Sequence, residues 1–234
     1  MLLLPVLLGV AASHPAAWQI AVAGAALSGY LASATLQAWS RSRRPAALRL
    51  PIAVYGSVFA VLAAILAVAF PALVLSVIVV VPTGLLVARG AQPGTRRDLA
   101  NSLAQVPQAL VLVPVTALVA GEPDWWRIAA YTAVAAGYLL GTVLVVRSAL
   151  RERGNGTFAT VSVGFHLAAT LLATVTLPGA YPALGLALAA RAAALPVLGV
   201  RLAGSRRPLK PVHVGIVEIV SSVTVVLVAF LAPI

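Results

Sequence analysis

The sequence contains no cysteine, so a disulfide framework and a thiolate metal site are both excluded. Acid is nearly as scarce. Asp98, Glu122, Asp124, Glu152 and Glu218 are the five carboxylates, and no pair of them stands one helical turn apart on the cytosolic face deduced below. A magnesium-diphosphate site needs such pairs. The histidines His14, His166 and His213 fall at different depths, and none are at His-x-x-x-His spacing. A glycine-rich phosphate loop and a nucleophile-base arrangement are also missing. No metal or cofactor is therefore expected.

Charge of either sign makes up only 9% of the chain, against 62% apolar residues and a mean hydropathy of +1.05. Soluble domains carry roughly one quarter charged residues, so this is an integral membrane protein. The net charge of +11 would point to nucleic acid only if the basic residues gathered on a solvated domain, and there is none. Met1 to Ser13 resemble the apolar part of a signal peptide. They lack its basic start, so cleavage is not expected.

A span needs about 20 apolar residues. Leu50 to Ala88 carries no charge and is about twice that length, so it must fold back near Phe70-Pro71. Pro178-Gly179-Ala180-Tyr181-Pro182 supplies a similar turn between Arg153 and Arg201. The expected fold is an all-α bundle of about nine spans in a single transmembrane domain, residues 1–234. A short first segment at about 1–13 is followed by spans at about 16–39, 50–69, 71–88, 99–120, 127–147, 157–177, 181–202 and 211–233. Pro82, Pro107, Pro114 and Pro196 fall inside spans, where kinks are expected.

Basic residues set the orientation. Arg41, Arg43, Arg44 and Arg49 share one loop, and Arg89, Arg96 and Arg97 the next alternate one. Arg147, Arg151 and Arg153 occupy the third, and Arg201, Arg206, Arg207 and Lys210 the fourth. All four fall on one side, which is therefore cytosolic in a plasma-membrane protein, with the amino terminus inside and the carboxyl terminus outside. Trp39 marks the inner boundary; Trp18, Trp125 and Trp126 mark the outer one. Asn155-Gly156-Thr157 matches a glycosylation sequon, but on the cytosolic side it is discounted. Gly24 with Ser28, and Ala133, Gly137 and Gly141, are small residues at four-residue spacing that let helices approach closely.

Ionisable groups inside a bilayer are costly and face a cavity or a partner. Arg191 lies about 15–18 Å from the cytosolic end of its span, Glu218 about 10–12 Å into the next and His166 about 13–15 Å into its own. Arg191 and Glu218 are within reach of each other across a hairpin, either as a helix-locking pair or as ligand contacts. His166 reads as a packing residue or a proton carrier. Gln37, Asn101, Gln105 and Tyr138 also lie in cytosolic halves, which together implies a polar cavity open to the cytosol. Arg147 and Arg151 share a helical face with Arg153 just beyond and Asn155 following. They either fix topology and touch anionic headgroups or hold the anionic end of a ligand bidentately.

Arg151-Glu152-Arg153-Gly154-Asn155, then Ser162-Val163-Gly164-Phe165-His166, then His213-Val214-Gly215-Ile216-Val217-Glu218 resemble the YwiC-like family of bacterial membrane proteins, a likeness that runs from Leu2-Leu3-Leu4-Pro5 to the last span. The resemblance implies a polytopic membrane protein and carries over no catalytic residue. Members of the family open with a His-Gly-Ala-Trp stretch that this chain lacks, so either the true start lies upstream of Met1 or the motif is absent. A more distant likeness is to UbiA-type prenyltransferases, which have nine spans and bind magnesium and an isoprenoid diphosphate through aspartates in two cytosolic loops. Gln37, Arg41 and Arg44, and Arg147 and Arg151, stand at those places here, and the reversed charge argues against that reaction.

The expectation is a membrane protein that binds a lipidic or anionic ligand in a cytosol-facing cavity. Arg147, Arg151, Arg153 and Asn155 would meet its anionic end, and His166, Arg191 and Glu218 would line the interior. Membrane lipid is the expected partner. An isoprenoid transferase and a proton-coupled small-solute transporter are the alternatives.

Overall fold

The structure, a computed structural model, describes residues 3–41, 45–90, 99–177, 179–204 and 209–234. Arg43, Arg44, Arg96, Arg97, Asp98, Pro178, Arg206 and Arg207, used above for topology and turns, lie outside the described residues. Among the described residues every regular element is helical. The helices are α1 (Leu3–Ala11), α2 (Ala17–Arg41), α3 (Pro45–Ala69), α4 (Val77–Gly90), α5 (Leu99–Leu110), α6 (Leu112–Leu118), α7 (Trp125–Leu150), α8 (Gly156–Thr176), α9 (Tyr181–Arg201) and α10 (Pro211–Leu231), with a 3-10 turn at Pro71–Ser76 before α4. Large apolar side chains such as Ile65, Val68, Leu171, Val175, Ile219 and Leu231 stay exposed along the long helices. Contiguous apolar surface on that scale belongs against lipid. The chain is a multi-pass membrane protein.

Among the described residues six helices, α2, α3, α7, α8, α9 and α10, are long and apolar enough to cross a membrane. The spans expected at 71–88 and 99–120 are built differently, as shorter apolar stretches over Pro71–Val87 and Ser102–Leu118. Proline accounts for both. Pro71 opens the first stretch as a 3-10 turn. In the second, Pro114 has no N–H to give the carbonyl of Leu110, and the ladder breaks at Val111 between α5 and α6. By contrast, α4 and α9 run unbroken through Pro82 and Pro196. Arg49, expected in a loop, instead lies in α3, which starts five residues before the expected span with proline at its first position.

The chain forms two compact units, Leu2–Thr132 and Ala133–Ile234. In the first, α2 and α3 pack as a hairpin around Val22, Ala25, Leu66, Leu73 and Val119. Gly24 faces Leu62 and Gly29 faces Phe59, where a Cβ would come within 2.9 Å of the ring. The nine-residue α1 is about 14 Å long, under half the hydrocarbon thickness. It is buried against α6 instead, with Gly9 so close that a Cβ would lie 2.6 Å from the Val113 carbonyl. Gln19 ties this end together by donating to Ser13, His14 and Thr116, and Arg127 Nη2 donates to the Ala11 carbonyl. Trp18 meets Phe70 edge to face nearby, at 5.5 Å. Loops that share the weakly basic side in the sequence thus meet at one end of this unit.

In the second unit α8 and α9 pack closely, α9 contacts α10, and Val145, Ala149, Ala192, Leu195 and Val214 form an apolar core. Lipid offers helices no hydrophobic drive to associate, so close van der Waals contact and polar pairs must hold them. Gly185 provides such contact against Thr170, and Gly199 against the Ala149 carbonyl.

Candidate functional site

Polar residues four apart on apolar helices share a face. In the second unit three such sets turn inward: Tyr138 and Thr142 on α7, Ser162, His166 and Thr170 on α8, and Glu218 and Ser222 on α10. Arg191 joins them from the middle of α9, about 15 Å from either helix end. Arg191 Nη1 donates to Glu218 Oε2 at 2.7 Å, with the two side chains only 7% and 6% exposed. The same carboxylate oxygen accepts from Thr142 at 2.8 Å and from Tyr138 at 3.3 Å. The Tyr138 hydroxyl also reaches the Glu218 carbonyl and the Ser222 hydroxyl, and its ring lies 5.6 Å from the Arg191 guanidinium. The pair expected across the α9–α10 hairpin is therefore formed.

His166 attaches to the same turn of α7. Its Nδ1 lies 2.7 Å from the Ser162 carbonyl; a carbonyl only accepts, so Nδ1 carries the proton. Nε2 points at Gly141, where a Cβ would lie 2.6 Å away. Gly141, expected as one of a row of small packing residues, is thus the space the imidazole uses. Arg191 is close enough to His166 for the two to interact electrostatically.

Several buried atoms of this cluster lack a protein partner: Arg191 Nε and Nη2, Glu218 Oε1, His166 Nε2 and the Ser162 hydroxyl. Nε and Nη2 are the edge of a guanidinium that grips a carboxylate or phosphate side-on with two parallel hydrogen bonds. Glu218 occupies Nη1 and leaves that edge free. Among the described residues no group of three histidines or carboxylates gathers as a metal site would require.

The arginine turn after α7 is organised differently. Arg147 pairs with Glu152 at 3.2 Å and stacks over Phe158 at 5.9 Å, with Nη1 unpartnered. Glu152 also accepts from the Asn155 amide, and Asn155 Oδ1 caps α8 by accepting from the Phe158 N–H at 3.1 Å. Gly154 makes the turn at φ +85. Arg153 donates to the carbonyls of Ala149 and Leu209, joining the last two basic loops. Arg151 is exposed. Arg147, Arg153 and Asn155 thus build the turn, with Arg147 about 1.4 helical turns beyond Thr142 on α7. Gln37 and Gln105 belong to the first unit. The Asn101 side chain lies outside the described residues.

The chain matches the YwiC-like protein family over residues 1–117, half of its 234 residues. It belongs to the YwiC-like family. No curated protein and no solved structure matches it. In this YwiC-like protein the matched half ends within α6, so the Arg191 cluster and the arginine turn both lie beyond it.

Thr142, Ser162 and Ser222 were not among the residues expected at a site. The signal that marks them is four-residue spacing from Tyr138, His166 and Glu218 within otherwise apolar spans.

Proposed function

We propose that this YwiC-like protein binds an oxyanion, a carboxylate or phosphate that is either free or the head of a lipid, at the intramembrane cluster of α7, α8, α9 and α10. It does so in the plasma membrane, with its basic loops cytosolic, its amino terminus inside and its carboxyl terminus outside. The observation that carries the reading is the unpartnered Nε–Nη2 edge of Arg191. Donors buried without a partner cost free energy in a protein interior and more in lipid, and an oxyanion satisfies both at once. The Ser162 hydroxyl, also buried without a partner, is a further donor in the cluster. The arginine turn serves topology and the capping of α8 in this reading, because Arg147 and Arg153 already have partners.

Native mass spectrometry of the purified protein, together with thermal unfolding in detergent on addition of acetate or inorganic phosphate, tests this. Lipid carried through purification identifies a headgroup; stabilisation by the free anions identifies a soluble ligand. Arg191→Lys keeps the charge and loses the planar fork, and is expected to abolish either effect, while Arg147→Ala/Arg151→Ala keeps it. Equal retention by the wild type and Arg191→Lys, or loss only in the double variant, would overturn the assignment.

A further inference from the structure

We infer that the oxyanion enters together with a proton, and that Glu218 is the residue that takes it. This rests on the oxyanion reading of the Arg191 cluster and adds a coupling that the reading alone does not require.

In the free site Arg191 and Glu218 form a neutral pair at 2.7 Å. A monoanion placed on the Nε–Nη2 edge would leave the site with one uncompensated negative charge at mid-membrane depth, where ionised groups are costly. The titratable groups around Glu218 are Arg191 from α9 and Tyr138 from α7, with His166 from α8 beside the same turn of α7. On α10 itself the neighbouring polar residue is Ser222, which is not titratable in this range. Glu218 is the carboxylate among them. Its Oε2 holds the Arg191, Thr142 and Tyr138 donors, whereas Oε1 is buried and has no partner. A proton from the aqueous side placed on Oε1 turns the carboxylate into a neutral acid. The charge of Arg191 then passes from Glu218 to the anion, and the site is neutral before and after: guanidinium and carboxylate become guanidinium, anion and carboxylic acid.

Calorimetric titration of the full chain in detergent with acetate, in two buffers of different ionisation enthalpy, counts the protons. Acetate keeps its charge between about pH 6 and about pH 8. The wild type is expected to take up one proton per acetate, its affinity falling about tenfold for each pH unit over which that uptake holds. Glu218→Gln is expected to bind acetate without proton uptake and with a flat pH profile. Binding by the wild type with no proton uptake overturns the coupling and leaves the oxyanion site standing. A Glu218→Gln protein that still takes up a proton assigns the proton elsewhere and overturns the role of Glu218. Failure of acetate and phosphate to bind at any pH, with no lipid carried through purification, overturns both readings. The proton count on the wild type stands without the variant, so a Glu218→Gln chain that does not fold leaves the test intact.

Discussion

Gly141 has no side chain at the point where the imidazole of His166 needs room, and this contact decides how α7 and α8 approach at the cluster. A Cβ there would lie 2.6 Å from Nε2 and 3.0 Å from Cε1. The ring is held from its other side by the Ser162 carbonyl, so it has little freedom to retreat. Gly141→Ala is expected to cost about 1–3 kcal/mol, the range for overpacking a filled interior. Gly164→Ala, with nothing within 4 Å of its Cβ position, should stay within about 0.5 kcal/mol of the wild type. Thermal unfolding in detergent compares them, and adding His166→Ala to Gly141→Ala should recover much of the loss if the ring is what the methyl meets. At this scale the sequence marked the ionisable members of the cluster, since Arg191, Glu218 and His166 stand out in an apolar chain. The hydroxyls of Thr142, Ser162 and Ser222 did not stand out, because serine and threonine occur throughout these spans satisfying their own helix backbone, as Thr132, Thr174 and Thr224 do.

Among the elements, helix ends were legible wherever charge or a cap marks them. The expected spans at 157–177, 181–202 and 211–233 become α8, α9 and α10 within a residue or two. Composition could not show how the two proline-containing stretches would be subdivided, because a window average sees only that they are apolar. It also missed the start of α3: Arg49 looked like a loop residue, but an exposed arginine is tolerated on the first turns of a helix that emerges from the membrane. The arginine turn was legible as a charge cluster, but its internal pairing was not, since sequence spacing does not reveal that Glu152 lies between Arg147 and Asn155 in space. Its energetic weight falls on the cap. Asn155→Ala removes the acceptor for the Phe158 N–H and is expected to cost about 1 kcal/mol, whereas Asn155→Asp keeps the acceptor and most of the stability. Equal unfolding temperatures for the alanine variant and the wild type would show that the cap does not hold α8.

For the whole molecule, the feature that opened the sequence becomes a tool. A chain without cysteine accepts a single reporter thiol anywhere, with no background to remove. Within the first unit the ends carrying Ala11, Gln19, Phe70, Thr116 and Arg127 come together, and within the second Arg153 reaches Leu209. The positive-inside rule predicts an outer position for the first set and an inner one for the second. The exposed indoles of Trp125 and Trp126, each 63% exposed at the start of α7, suit an interfacial belt. Single substitutions Glu122→Cys, Gly204→Cys and Pro233→Cys sample the turn before α7, the basic loop after α9 and the carboxyl terminus. A membrane-impermeant maleimide on intact cells is expected to label positions 122 and 233 and to reach 204 only after the membrane is opened. Labelling of 204 with protection of 122 and 233 would invert the molecule in the membrane. It would also place the basic loops outside, against the bias that their arginines impose on insertion. Labelling of 122 with protection of both 204 and 233 would leave α10 returning to the side it started from, and would remove it from the set of crossing helices. Because Glu218 lies on α10, that last outcome would also withdraw the mid-membrane depth on which the pairing of anion and proton depends.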